Sequence, residues 1–195
     1  MNLPNKLTIS RIILTFVFVC FLFSEWFFAK YLALLIFSVA CLTDYYDGYI
    51  ARKRDLISNF GKLMDPVADK ILLIAAFLAF VVLKIMPLWM VVVIIFREVG
   101  ITGMRLVMMS KGSVLAAEKW GKYKTVSQML TIFVILIFLA LKETLLKYSE
   151  LWNLSCEVLS RQIIFVLMLI TVILTLVSGF LCLWRNRRLF NANYY

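Results

Sequence analysis

Hydrophobic positions along this chain do not alternate with polar ones; they run together. Six apolar stretches recur, at roughly 8–28, 31–51, 61–83, 87–108, 121–141 and 162–184, separated by short polar connections. A helix needs about 20 apolar residues in succession to cross a ~30 Å hydrocarbon core, and each stretch meets that length. None has the period-2 alternation of an outer-membrane barrel strand. In lipid the helix is then the remaining way to satisfy every backbone N–H and C=O. The pattern predicts an all-α integral membrane protein, six transmembrane helices in a single domain over residues 1–195. The first stretch carries Lys6 and Arg11 ahead of its apolar core, as a signal peptide does. The sequence SEWFF follows it in place of a small-residue cleavage site, so it is expected to remain as an anchor.

Composition agrees: 64% of residues are hydrophobic and the mean hydropathy is +0.95, far outside the soluble range. Charge adds an orientation. With six spans, the two ends and the even-numbered connections share one side of the membrane. Lys30, Lys84, Lys142, Lys147 and Arg161 fall on the opposite side, and the other sixteen of the 21 lysines and arginines fall on the shared one. The positive-inside rule therefore places both termini in the cytoplasm. Topology and attraction to anionic membrane lipids account for the net charge of +10. No soluble basic domain exists to carry nucleic acid. Cys20, Cys41, Cys156 and Cys182 lack C-x-x-C spacing and read as buried, inert thiols. The mixed-sign connection around 142–161 is expected to be an outward, partly helical loop.

The chain has no histidine. That excludes Ser-His-Asp and Cys-His catalysis and any His-ligated zinc or copper. A metal held here would sit among hard oxygen ligands, which favours Mg²⁺, Mn²⁺ or Ca²⁺.

Oxygen ligands are plentiful in one stretch, DYYDGYIARKRDLISNFGKLMDPVADK, from Asp44 to Lys70. Asp44, Asp47, Gly48 and Ala51 are spaced i, i+3, i+4, i+7 and share one helical face. Gly61, Asp65 and Asp69 follow at i, i+4, i+8. Pro66 either kinks this second helix from within or starts a fresh one capped by Asp65. The short connection predicts antiparallel neighbours whose acidic ends meet near the cytoplasmic surface. Each carboxylate costs roughly 2.5–3.5 kcal/mol at mid-membrane. Four cost on the order of 10–14 kcal/mol as an upper bound, large against a typical stability of ~5–15 kcal/mol. Divalent cations offset that cost; protonation, or pairing with Arg52 and Lys70, does so less completely. Asp44, Asp47, Asp65 and Asp69 are therefore expected to hold metal.

The pattern Asp44-x-x-Asp47-Gly48-x-x-Ala51-Arg52, eight residues, Gly61-x-x-x-Asp65-x-x-x-Asp69 resembles the signature of the CDP-alcohol phosphatidyltransferases, with every fixed position matched. The resemblance implies transfer of a phosphatidyl group from CDP-diacylglycerol to an alcohol, with release of CMP. It assigns Asp44, Asp47 and Asp65 as the core ligands of Mg²⁺ or Mn²⁺, two ions by expectation. Asp69 becomes the general base, also within reach of the metal. Gly48, Ala51, Arg52 and Gly61 become positions lining the cytidine diphosphate site, where small residues let the nucleotide press against a helix. It further implies a homodimer in the bacterial cytoplasmic membrane, multi-pass, with a polar metal-lined cavity open to the cytoplasm.

The acceptor alcohol is read from FREVGITGMRLVMMSKG and AAEKWGKYKT, which bring Arg97, Glu98, Arg105, Lys122 and Lys124. Arg97 and Glu98 lie about ten residues into an apolar run, and such charges face a bundle interior or a wet cavity. The alternatives are pairing with the aspartates for these two and snorkelling for Arg105, Lys122 and Lys124. Cations around one cytoplasm-facing cavity predict an anionic acceptor, most simply a phosphate ester held by Arg97, Arg105, Lys122 and Lys124. This stretch, with NLPNKLTISR at 2–11, resembles the family members that use sn-glycerol 3-phosphate. Phosphatidylglycerol, inositol phosphate or serine are the competing acceptors. Outside the family the competitors are a cation-coupled transporter and a non-catalytic scaffold. The transporter is disfavoured because the acidic residues crowd one membrane face and no repeat is visible.

Overall fold

A computed structural model describes the backbone of residues 3–54, 59–110, 119–148 and 153–191, and side chains within 9–43, 70–109, 121–148, 153 and 155–186. Six α-helices carry these residues: α1 Leu3–Phe23, α2 Ala29–Arg54, α3 Asn59–Val82, α4 Leu88–Ser110, α5 Lys119–Tyr148 and α6 Leu154–Asn191. No strand occurs among the described residues. Among the described residues two helices are long and apolar enough to cross a membrane, over Gly121–Tyr148 and Ser155–Asn186. Shorter apolar stretches cover Ile9–Phe23, Ala29–Thr43 and Lys70–Val82.

Each predicted apolar run becomes a helix, but α5 and α6 extend past both ends of theirs. Charged residues end an apolar stretch without ending a helix. The connection around 142–161 is accordingly helical on both flanks. Glu157 there accepts from Lys142 at 3.1 Å and from Arg161 at 3.1 Å, tying the last turns of α5 to the first turns of α6. α3 runs unbroken from Asn59 to Val82, so Pro66 lies inside one helix and does not start another. It ends in a Schellman closure: Lys84 N–H donates to Val81 O at 2.9 Å and Ile85 N–H to Phe80 O at 3.0 Å. Lys84 holds the left-handed position of that motif, with φ 56°.

The core forms where α1 contacts both α2 and α3, and α5 contacts α2, α3 and α6. Phe37 of α2 sits fully buried at its centre, with Phe18 of α1 at 5.7 Å and Phe133 of α5 at 5.2 Å between ring centroids. α4 packs on α3 and α6. Among the described residues α1 and α5 each contact both α2 and α3; the acidic ends at which α2 and α3 are expected to meet lie outside the described side chains. A short connection constrains only the ends it joins. Cys20 and Cys156 are exposed and Cys182 is buried, so the cysteines are not uniformly interior as expected. Apolar side chains such as Phe96, 82% exposed, cover the outside as a lipid-facing surface requires.

Phe37→Ala is expected to destabilise the bundle by about 3 kcal/mol, the low end for such a truncation, because lipid supplies no hydrophobic drive and only packing is lost. Phe96→Ala is expected to cost nearly nothing. Equilibrium unfolding of the purified protein in mixed detergent micelles checks both.

Candidate functional site

Arg97, Glu98, Ile101, Thr102 and Arg105 recur on one face of α4, and Phe96, Val99 and Val107 are exposed on the other. The polar face meets α3, α5 and α6 around a cavity of about 600 Å³. Among the described residues its charged lining is Lys70, Arg97, Arg105, Lys122, Lys124 and Glu98: five cations and one carboxylate.

Glu98 organises the interior of this cavity. Its side chain is only 7% exposed, yet it pairs with three cations from three helices. Lys70 of α3 lies 3.0 Å from Oε2, and Arg97 of α4 lies 3.2 Å from Oε1. Lys124 of α5 pairs with Oε1, to which Gln128 also donates at 3.3 Å. Lys70 Nζ donates further to the Glu98 carbonyl at 3.1 Å and to Thr102 Oγ1, while Thr102 donates to that same carbonyl at 2.7 Å. The three ammonium protons of Lys70 thus each have an acceptor on α4. Arg97 carries the network to α6 by donating to Ser178 Oγ at 2.6 Å. Its side chain lies over Gly179, where an added Cβ would come within 3.1 Å of Arg97 Cγ.

Arg105 and Lys122 differ from these. Both are exposed, both line the cavity, and neither makes an ion pair among the described residues. The cavity therefore has an inner set of cations compensated by Glu98 and an outer pair left to meet solvent. In surroundings of low dielectric such an excess of positive charge is compensated well only by an anion. A planar guanidinium and ammonium groups at one opening suit phosphate oxygens.

The structure brings the four predicted acceptor-site cations, Arg97, Arg105, Lys122 and Lys124, to this one cavity. Glu98, for which pairing with one of the aspartates is the alternative reading, is the shared partner of Lys70, Arg97 and Lys124. Lys70, Thr102, Gln128 and Ser178 were not predicted as site residues. A signal existed for two of them: Thr102 stands four residues after Glu98 and Gln128 four after Lys124, one turn along the same faces. Asp44, Asp47, Gly48, Ala51 and Arg52 lie on α2, and Gly61, Asp65 and Asp69 on α3. Their side chains lie outside the described residues. Among those described, no group of three acidic, histidine or cysteine side chains is placed to hold a metal. The aspartate helices do fit a hard divalent cation in their donor chemistry. Both are unbroken through the acidic segment, so the i, i+3 and i, i+4 carboxylate spacings are true helical neighbours.

A family model described as "CDP-alcohol phosphatidyltransferase" matches residues 1–184. The chain belongs to that family. Among curated relatives of this phosphatidyltransferase, a Bacillus subtilis CDP-diacylglycerol–glycerol-3-phosphate 3-phosphatidyltransferase is 37% identical over 190 residues, 91% of each chain. Proteins of the same description from Haemophilus influenzae and Cereibacter sphaeroides are 38% and 35% identical. Those matches span 67% and 70% of this chain, and 73% and 63% of the respective relatives.

The Gly179 contact yields a test of the inner network. Gly179→Ala makes the Arg97 side chain give by a few tenths of an ångström beside Ser178, and transferase turnover is expected to fall about tenfold with the bundle still folded. Gly103→Ala, where nothing lies within 4 Å of an added Cβ, is expected to leave turnover unchanged. Steady-state CMP release by the two purified variants makes the comparison.

Proposed function

We propose that this phosphatidyltransferase moves the phosphatidyl group of CDP-diacylglycerol to sn-glycerol 3-phosphate, giving phosphatidylglycerophosphate and CMP. One observation carries the choice of acceptor: Asp69, the general base implied by the family pattern, directly precedes Lys70, which lines the cation cavity. Adjacent Cα atoms are about 3.8 Å apart. An acceptor anchored in the cavity by a phosphate thus has its free hydroxyl within reach of the segment that carries the base. Choline or ethanolamine would bring a cation to a cavity already rich in them.

The residues divide the work. Arg105 and Lys122 attract a phosphate monoester that carries nearly two negative charges at neutral pH. Lys124 and Arg97, held from behind by Glu98 and Ser178, orient it. Asp69 takes the proton of the glycerol hydroxyl as its oxygen bonds to the phosphatidyl phosphorus, and the bond from that phosphorus to the CMP oxygen breaks. Gly48, Ala51 and Gly61 leave room for the nucleotide beside α2 and α3, and Arg52 supplies a charge partner for its phosphates. Two Mg²⁺ or Mn²⁺ ions bound by Asp44, Asp47, Asp65 and Asp69 would neutralise the diphosphate and stabilise the leaving CMP oxygen.

The membrane arrangement follows from the same residues. We read all six helices as spans, with both termini and the cavity on the cytoplasmic side of a bacterial inner membrane. The cavity lies on the first half of α3 and α5 and the second half of α4 and α6, which one membrane face accommodates in an up-and-down bundle. That is the face to which the lysine and arginine excess points.

Purified protein given CDP-diacylglycerol and Mg²⁺ is expected to release CMP with sn-glycerol 3-phosphate and not with glycerol, serine, inositol phosphate or phosphatidylglycerol. Chelation by EDTA is expected to abolish release. Asp69→Asn is expected to lose at least about a thousandfold in turnover while remaining folded. Preference for another acceptor overturns the acceptor assignment, and full activity of Asp69→Asn overturns the base.

A further inference from the structure

The reaction as proposed gives Glu98 no part beyond holding Lys124 and Arg97 from behind. Among the described residues it is the only carboxylate lining a cavity that otherwise collects cations, and it is more deeply buried than the mouth residues Arg105 and Lys122. Neither its placement nor its partners suit a general base. Its Oε1 is shared by Arg97, Lys124 and Gln128, and its Oε2 is occupied by Lys70. A carboxylate so fully engaged does not accept a substrate proton. What it does is substitute for an anion, at the inner cations an entering phosphate would meet after passing Arg105 and Lys122.

We infer that Glu98 is the cavity's resident counter-anion, a positioning residue that competes with a phosphate monoester for Lys124 and Arg97 and thereby sets acceptor affinity. The inference rests on the reading of the cavity as a phosphate site. In the absence of substrate, three largely buried cations on one cavity wall would repel one another and force the wall apart; Glu98 neutralises part of that charge and fixes their geometry. When a phosphate dianion arrives, its charge adds to that of Glu98. Like charges a few ångströms apart in a protein interior disfavour each other, so Glu98 weakens the binding of any anion. Lys124 and Arg97 pass from the carboxylate to the phosphate oxygens, while Lys70, held also by Thr102 and the Glu98 carbonyl, keeps Glu98 on α3. The consequence is selectivity. Inorganic phosphate, which offers no hydroxyl-bearing glycerol to make further contacts, repays the exchange less and is held more weakly.

The test uses the full chain in detergent, with inorganic phosphate and sn-glycerol 3-phosphate as probes and thermal stabilisation as the readout. Both probes are expected to stabilise the wild type, glycerol phosphate at lower concentration. Glu98→Gln keeps the shape and removes the charge. It is expected to bind inorganic phosphate about tenfold more tightly than the wild type does. Its KM for sn-glycerol 3-phosphate is expected to fall while kcat also falls, because the inner cations lose the partner that aligned them. A residue with a merely structural role would lower kcat and raise KM together.

If neither probe stabilises the wild type, the phosphate reading of the cavity fails first and this inference with it. If the wild type responds and Glu98→Gln binds phosphate equally or more weakly, the inference alone is overturned. Should Glu98→Gln not fold, the wild type carries the test by infrared difference spectroscopy with isotope-labelled glutamate. Phosphate must then shift a carboxylate stretch, and an unchanged band overturns the exchange.

Discussion

The arrangement of four helices depends on a single buried carboxylate and the cations it holds. Glu98 joins α3 through Lys70 and α5 through Lys124, and Arg97 beside it extends the connection to Ser178 on α6. Breaking a buried pair by removing one member costs roughly 3–5 kcal/mol, since the remaining charge has no water to turn to. In a membrane this matters more than in a soluble protein, because lipid supplies no hydrophobic pressure to hold helices together. Packing around Phe37 orders α1, α2 and α5; the ionic network orders α3 to α6. The two cores have different physics, and the functional cavity lies in the second.

That division explains why the cavity is so basic without falling apart. Five cations around one space would separate the helices if all were uncompensated. Three of them share Glu98, and the two without an ion pair, Arg105 and Lys122, stand at the exposed opening where water screens them. Charge is thus graded from a partly compensated interior to an attractive mouth. In the proposed reaction a small dianion is drawn in by the mouth and aligned by the interior, while the diphosphate of the lipid substrate falls to the aspartate helices α2 and α3.

Much of this was legible in the sequence, and the parts that were not have physical reasons. Apolar run length disclosed every helix, because lipid leaves the backbone no alternative. Charges inside the fourth run, Arg97 and Glu98, pointed to an interior cavity. Their partners were not legible: Lys70 reads as one more charge after Asp69, and only the rotation of α3 against α4 brings it to Glu98 and Thr102. Ser178 and Gly179 carry no signal at all until α6 is placed beside α4. The pairing of α2 with α3 rests on the short connection between them, and α1 contacts both helices. The acidic segment of α2 and α3 was read from spacing alone, and its side chains lie outside the described residues.

The central claim is that the acceptor's phosphate sits among Arg105, Lys122 and Lys124, beside the helix that carries Asp69. A crystal or cryo-electron microscopy structure with Mn²⁺ and sn-glycerol 3-phosphate tests it most directly. The account predicts density for one phosphate touching those three side chains, with the glycerol hydroxyl directed toward α2 and α3. A cavity filled by an acyl chain, or a glycerol phosphate bound on any other face, would contradict it.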